Sequence, residues 1–216
     1  LDIAPEEFEQ IEPKLIDNVP VLQICDQLAN GAGFSQKLSE SSESSGIPLV
    51  LDLIRSILSD SNDLLSIKLR ADEHKASCLG ACYKCILRYG NSNYHGLLDW
   101  RLGLSYLRLL YDPNYKCGLD GNFNFIELES WHKQVQESLM NVKMLKPSVY
   151  ALPEFKEING LKLGVIHNKK IGKKYYVIHP FWSKKYVKEL LGVDSNSDEI
   201  EFLNSFEILH TPQDIF

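Results

Sequence analysis

Apolar and polar positions change rhythm along the chain, first at helical spacing and then at the two-residue spacing of strands. Val19 to Cys25, VPVLQIC, alternates and is rich in β-formers, so it predicts a strand. It runs into Asp26-Gln-Leu-Ala-Asn-Gly31-Ala-Gly33-Phe34, a glycine turn suited to opening a helix. The six serines between Ser35 and Ser45, mixed with Glu40 and Glu43, predict a loop or a loose helix end. Ile47 to Leu58 carries its apolar residues at helical spacing, with Pro48 placed for a first turn. After a polar patch and a cysteine-rich stretch, Leu97 to Tyr111 predicts a strongly apolar helix stopped by Asp112-Pro113. Ile126 to Leu145 predicts a second long helix around Trp131, ended by Lys146-Pro147.

Beyond that point the pattern shortens. VYALPEF, LKLGVIH, YYVIHPFW and FEILH are short β-rich runs, with turns at Asn159-Gly160 and Gly172. Ser183 to Gly192 predicts a helix with Ser183 as N-cap and Gly192 just past its end. The expected class is therefore α+β: a mainly helical module over residues 1–146, clasped by zinc as argued below, and a small β-β-β-α-β subdomain over residues 147–216. No internal repeat is present.

Composition narrows the class of protein. Of 216 residues, 44% are hydrophobic and 24% charged, the balance of a soluble globular chain. No run approaches the roughly 18 apolar residues of a membrane span, so no membrane partner is expected. The opening LDIAPEEFEQIEPK is acidic and lacks the apolar core of a secretion signal. Its start without Met suggests a piece of a longer chain. The net charge of −6 excludes a generally basic nucleic-acid binder. Charge is unevenly spread, however, with eleven lysines against Glu154 and Glu157 between Lys143 and Lys188. There Lys173, Lys174, Lys184 and Lys185 interleave with Tyr175, Tyr176, Phe181 and Trp182. Cations beside aromatic rings grip single strands, which makes these four lysines candidate nucleic-acid contacts. The same pattern also suits a hydrophobic strand with lysine edges.

The most pointed chemistry is Cys78-Leu-Gly-Ala-Cys82-Tyr-Lys-Cys85, three of the five cysteines within eight residues. An odd count and such crowding do not suit a disulfide framework; they point to a metal site in a reducing, cytoplasmic setting. Zinc takes four tetrahedral ligands, and three thiolates with one imidazole meet that need. His95 is near enough in sequence to close the site, with Cys117 and Cys25 as rival fourth ligands. Four cysteines recruited through Cys25 or Cys117 would instead hold a structural iron–sulfur cluster. The same spacing occurs in radical SAM enzymes, but those place an aromatic directly before the third cysteine, where this chain has Lys84. They also continue into a long run of alternating strands and helices, which is absent here. A zinc site filled by four protein ligands has no position open for a reactive water, so its expected role is a clasp.

Other constellations are weaker. GxG at Gly31 lacks a third glycine or a following Lys-Ser/Thr, and no GxxxxGK[ST] occurs, so a packed strand-to-helix turn is expected there. A restriction-endonuclease-like core needs an acid on its second strand and Glu-x-Lys on its third. Glu154-Phe-Lys156 has that spelling on the first β-run, whereas the next two runs carry no carboxylate. His167, His179 and His210 each end a β-run, with no Ser, Cys or acid spaced to make a catalytic group with them. Asp99 and Arg101 open the apolar helix, where Asp99 favours the helix dipole.

Taken in order, the Asp26–Phe34 turn, the cysteine run, Tyr89-Gly-Asn91, His95 and Leu97-Leu-Asp99-Trp-Arg101-Leu-Gly-Leu carry a family likeness. They resemble the zinc-binding domain at the C-terminal end of MrfA-type superfamily 2 helicases, related to domains in anti-phage systems such as DISARM and Druantia. The resemblance covers about residues 20 to 112 and rests on a D-x-L-x-G-G-A-G-[FHY] stretch, a cysteine cluster and a Leu-Asp helix start. Two positions depart from the pattern. Asn30 stands where a glycine is common, and Tyr89-Gly90-Asn91 occupies the neighbourhood of a fourth cysteine. The resemblance implies Cys78, Cys82 and Cys85 as zinc ligands and a parent that translocates on DNA with ATP. This chain would be its non-catalytic accessory region, in DNA repair or phage defence, bracing the motor and meeting DNA or a protein subunit. A metal-dependent nuclease and a pure protein-interaction module are the alternative readings.

Overall fold

The computed structural model describes residues 7–8, 13–17, 19–28, 30–43, 45–59, 63–192 and 199–212. Two compact units divide the chain, Leu1–Leu98 and Asp99–Phe216.

In the first unit, β1 (Pro13–Ile16) and β2 (Val19–Leu22) pair antiparallel, with Ile16 opposite Val19. The predicted strand thus ends at Leu22 instead of Cys25. The glycine turn that follows is organised by one carboxylate. Asp26 accepts the backbone N–H groups of Ala32 (2.7 Å), Gly33 (2.6 Å), Phe34 (3.2 Å) and Ser35 (2.7 Å). Gly31 and Gly33 sit at φ 69° and 79°, a region costly for residues with a Cβ. Converging N–H groups of this kind form an anion cradle, and here the chain's own carboxylate fills it. Those bonds, led by Ser35, hold the Asp26 carboxyl below its usual range. The turn opens α1 (Phe34–Ser39), as expected, and α2 (Leu49–Leu58) follows.

The polar patch after α2 folds as two further helices, α3 (Leu64–Arg70) and α4 (Asp72–Ser77). Asp63 caps α3 by accepting the Ser66 N–H at 2.8 Å. Arg70 ties α3 back to the end of α2 through the Leu58 carbonyl at 2.9 Å. Among the described residues of this unit, the buried apolar side chains are Ile54, Leu58, Leu69, Cys78 and Cys85. That is a small core.

The second unit has a large one. It begins with α5 (Trp100–Tyr111), capped by Asp99, whose carboxylate accepts the Arg101 and Leu102 N–H groups at 2.8 and 3.1 Å. Then come α6 (Trp131–Leu145), β3 (Glu154–Ile158), β4 (Leu161–Asn168), β5 (Lys173–Ile178), α7 (Lys184–Leu190), β6 (Ile200–Asn204) and α8 (Ser205–His210). The sheet runs β3-β4-β5-β6; the first two pairings are antiparallel and β5 pairs parallel with β6 across the α7 crossover. Asn159 (φ 51°) and Gly160 (φ 81°) make the two-residue turn between β3 and β4 that their dipeptide predicts. Ser183 caps α7 and Gly192 follows its end at φ 64°, both as expected.

The α+β class holds, with two corrections to the layout. The division falls at Leu98/Asp99 instead of residue 146, because α6 packs Trp131, Val135, Leu139 and Val142 into one core with β4, β5 and β6. FEILH is helical, and the last strand lies just before it at Ile200–Asn204. Asn204 explains the switch: its side chain accepts the Phe206 N–H at 2.9 Å and starts α8. A second anchor is polar. The buried Glu127 carboxylate takes two hydrogen bonds from the Arg108 guanidinium (2.6 and 3.2 Å) and one from the Tyr115 hydroxyl (3.1 Å). Such a charge is stable in a core because every partner is present.

Contact between α6 and β4 depends on Gly164. A methyl group there would lie 2.5 Å from Val135 Cγ1 and 3.3 Å from Leu139 Cδ1. Gly164→Ala should destabilise the second unit by about 1–3 kcal/mol in denaturant unfolding. Gly103→Ala, in open space on α5, should stabilise it by about 0.5–1 kcal/mol. Equal effects at the two positions would contradict this packing.

Candidate metal centre

Four side chains of the first unit converge: His74, Cys78, Cys82 and Cys85, whose ligand atoms all lie within 4.8 Å of one another. Local structure accounts for each. His74 sits in the last turn of α4, and the Cys78 N–H continues the helical pattern by donating to the His74 carbonyl at 2.8 Å. Residues four apart share a helix face, so the imidazole and the first thiol point the same way. The chain then turns back at Leu79-Gly80. Cys82 and Cys85 bracket a tight turn closed by the Cys85 and Leu87 N–H groups on the Cys82 carbonyl, at 3.0 and 3.1 Å. Within that turn the Cys82 N–H donates to the Cys85 sulfur at 3.2 Å. His74, Cys78 and Cys85 are buried, and Cys82 is half-buried.

The sulfur spacing tests whether one ion fits. Cys78 Sγ and Cys85 Sγ are 3.9 Å apart, and Cys82 Sγ and Cys85 Sγ are 3.6 Å apart. A disulfide requires about 2.05 Å, and all five cysteines are free. A tetrahedral ion with metal–sulfur bonds of about 2.3 Å has sulfur–sulfur edges of about 3.8 Å. The measured separations straddle that edge. Three thiols and one imidazole are also a donor set that borderline-soft divalent ions accept.

Electrostatics point the same way. Burial pushes the Cys78 thiol far up, and the neighbouring Cys82 and Cys85 sulfurs push it further. Desolvation also acts to raise Cys82, but hydrogen bonds from Cys85 and from the Lys84 backbone outweigh it and leave that thiol lowered. Three adjacent thiolates repel one another unless a cation lies between them, and a bound cation is what makes each deprotonated form stable.

The fourth member of the group is therefore His74 and not His95. The His95 Nε2 is turned to the Arg88 carbonyl (2.9 Å) and the Asn91 side chain (3.1 Å), in the 3₁₀ turn Tyr89–Tyr94. Cys117, the second rival, is buried in the core of the other unit, where its carbonyl accepts the Trp182 indole N–H at 2.9 Å. Cys25 is half-buried beyond β2 and outside the group. The signal for His74 was its place four residues before Cys78, giving His-x3-Cys-x3-Cys-x2-Cys. It is legible only once 72–77 is read as a helix.

The lysine candidates lie in the second unit. Lys184 and Lys185 are exposed on the first turn of α7. Lys173 and Lys174 open β5, and Lys173 pairs with Glu201 at 2.9 Å. Of the aromatics interleaved with them, Tyr176 and Trp182 are core residues and face no ligand. His167, His179 and His210 make no metal-donor group among the described residues. His179 is buried, accepts the Phe181 N–H on Nδ1 at 3.3 Å, and is pushed by burial down to about 4. His210 faces Asp99 at 3.6 Å. Glu154 and Lys156 pair with each other at 3.1 Å on β3, an edge strand, and β4 and β5 carry no carboxylate. No described helix is long and apolar enough to cross a membrane.

No family model, curated protein or solved structure matches the chain.

Replacing His74 with alanine should abolish metal retention by the purified chain, whereas His95→Ala should keep one ion per chain by elemental analysis. The reverse pattern would move the imidazole donor to position 95.

Proposed function

We propose that His74, Cys78, Cys82 and Cys85 bind zinc as a structural clasp. The chain would then serve as the non-catalytic accessory part of an ATP-dependent, DNA-translocating helicase-like protein of repair or phage defence. The observation that carries the clasp is the donor set: four ligand atoms within 4.8 Å of one another, two sulfur pairs of which stand 3.9 and 3.6 Å apart, enough donors to fill a tetrahedron. A site filled in this way contributes folding energy and leaves no position for a reactive water. The sulfur spacing favours a single ion over an iron–sulfur cluster, whose several metal atoms spread the cysteine sulfurs further apart. Zinc is the member of that class that tolerates a tetrahedron of three thiolates and an imidazole without redox chemistry.

The helicase association rests on the joint order of the Asp26–Phe34 turn, the cysteine run and the Leu97-Leu98-Asp99 helix start. The geometry is compatible with that role in two ways. Asp26 fills its own glycine turn, so no phosphate loop competes for ATP there. The central strands β4 and β5 lack the acids of a nuclease. Contact with DNA would come through cationic side chains, Lys173, Lys174, Lys184 and Lys185 among them. Such contact weakens as salt rises, because releasing counterions into a more concentrated solution gains less free energy.

Chelation of the purified chain should unfold the first unit, seen as lost far-ultraviolet helicity and new protease sites before residue 98, with the second unit intact. The same chain should bind DNA in a salt-dependent manner and hydrolyse neither ATP nor DNA. A metal-stripped chain with an unchanged spectrum and proteolytic pattern would contradict the clasp, and magnesium-dependent cleavage would replace the accessory reading with a nuclease.

A further inference from the structure

Beside the metal cluster lies an open cleft of about 800 Å³ whose walls include Lys68, Tyr83, Lys84, Leu87, Arg88 and Tyr89. Its size is that of a site enclosing a small ligand or a few nucleotides. Two features of the walls stand out. Tyr83 and Tyr89 are 70% and 94% exposed, so these large rings contribute little to the unit's own core. Three cations flank them, and between Leu64 and Leu98 the chain carries five Lys and Arg residues against two acids. The chain as a whole is acidic, which makes this a local reversal of sign.

The cations differ in what they already do. Arg88 donates to the Cys85 and Leu87 carbonyls at 2.9 and 2.7 Å, so it also holds the turn. Lys84 faces Glu73 at 3.6 Å, but both side chains are about four-fifths exposed or more, and such a pair yields readily to a stronger anion. Lys68 is exposed on α3.

We propose that this cleft binds a short segment of single-stranded nucleic acid, with Tyr83 and Tyr89 stacking on bases and Lys68, Lys84 and Arg88 meeting phosphates. Unpaired bases expose the π-faces that exposed tyrosine rings stack on, Tyr83 also meeting the His95 ring edge-on at 5.6 Å, and the flanking cations suit the phosphates beside them. A duplex hides those faces, and an acidic peptide offers charge without rings to stack. The inference rests on the zinc-clasp reading, because the turn between Cys82 and Cys85 is what presents Tyr83 and Lys84. The cluster shapes the floor of the cleft, and the ligand meets side chains around it.

The test uses the full zinc-loaded chain and a fluorescent oligothymidylate, read by anisotropy over a salt series, with zinc measured in every variant. Lys68→Glu with Lys84→Glu should weaken binding at least about tenfold and flatten the salt dependence, since each single-strand phosphate contact contributes about −0.7 to the logarithmic slope. Tyr83→Ala with Tyr89→Ala should weaken it about tenfold or more, with the slope kept. Arg88 is left unchanged because of its bonds to the turn. Unchanged affinity in either zinc-replete double variant would overturn the proposal. So would absent binding by the parent chain, or equal competition by duplex DNA or polyglutamate. Absence of zinc in the parent chain would instead overturn the clasp.

Discussion

The first unit crowds three sulfurs and one imidazole into a space the size of a single ion. Its described buried apolar side chains are few, and two of them are cysteines of the cluster itself. A bound metal would add to the stabilisation that these described side chains supply. Without a cation, burial and the neighbouring sulfurs oppose ionisation of Cys78 and keep its thiol protonated. With one, the same crowding becomes coordination. The ion would link α4 to the Cys82–Cys85 turn, and through that turn it would set the cleft that carries Tyr83 and Lys84.

The second unit is held by different means. Its core runs from Tyr115 to Ile208 and joins α6 to three strands. The close approach at Gly164 and the buried Glu127–Arg108–Tyr115 group fix how those elements meet. Among the described residues, that core holds no metal-donor group. Loss of a metal bound by the first unit would therefore be felt chiefly before Leu98.

Much of this was legible in the sequence where local chemistry decides structure. Asn159-Gly160 gave its turn, Ser183 and Gly192 bounded α7, and the three cysteines met as their spacing implied. Boundaries set by tertiary packing were not legible. Periodicity alone could not say that α6 belongs with the sheet, and β-rich FEILH became a helix because Asn204 caps it. His74 escaped for a related reason. Helices of six or seven residues are too short to show a hydrophobic stripe, so α3 and α4 read as a polar patch, and the nearest imidazole outside that patch was His95. The aromatic and lysine pattern of β5 was likewise ambiguous, since Tyr176 and Val177 are core residues while Lys173 and Lys174 at the strand start are only half-buried.

An inert metal would here support a function in binding. A filled tetrahedron does no chemistry, yet it would hold the short Cys82–Cys85 turn against α4. X-ray absorption at the zinc edge of the purified chain tests this most directly. The account predicts three sulfur neighbours at about 2.3 Å and one nitrogen near 2.0 Å. A shell dominated by oxygen, a metal–metal vector from a cluster, or no bound metal in a fully folded chain would contradict it.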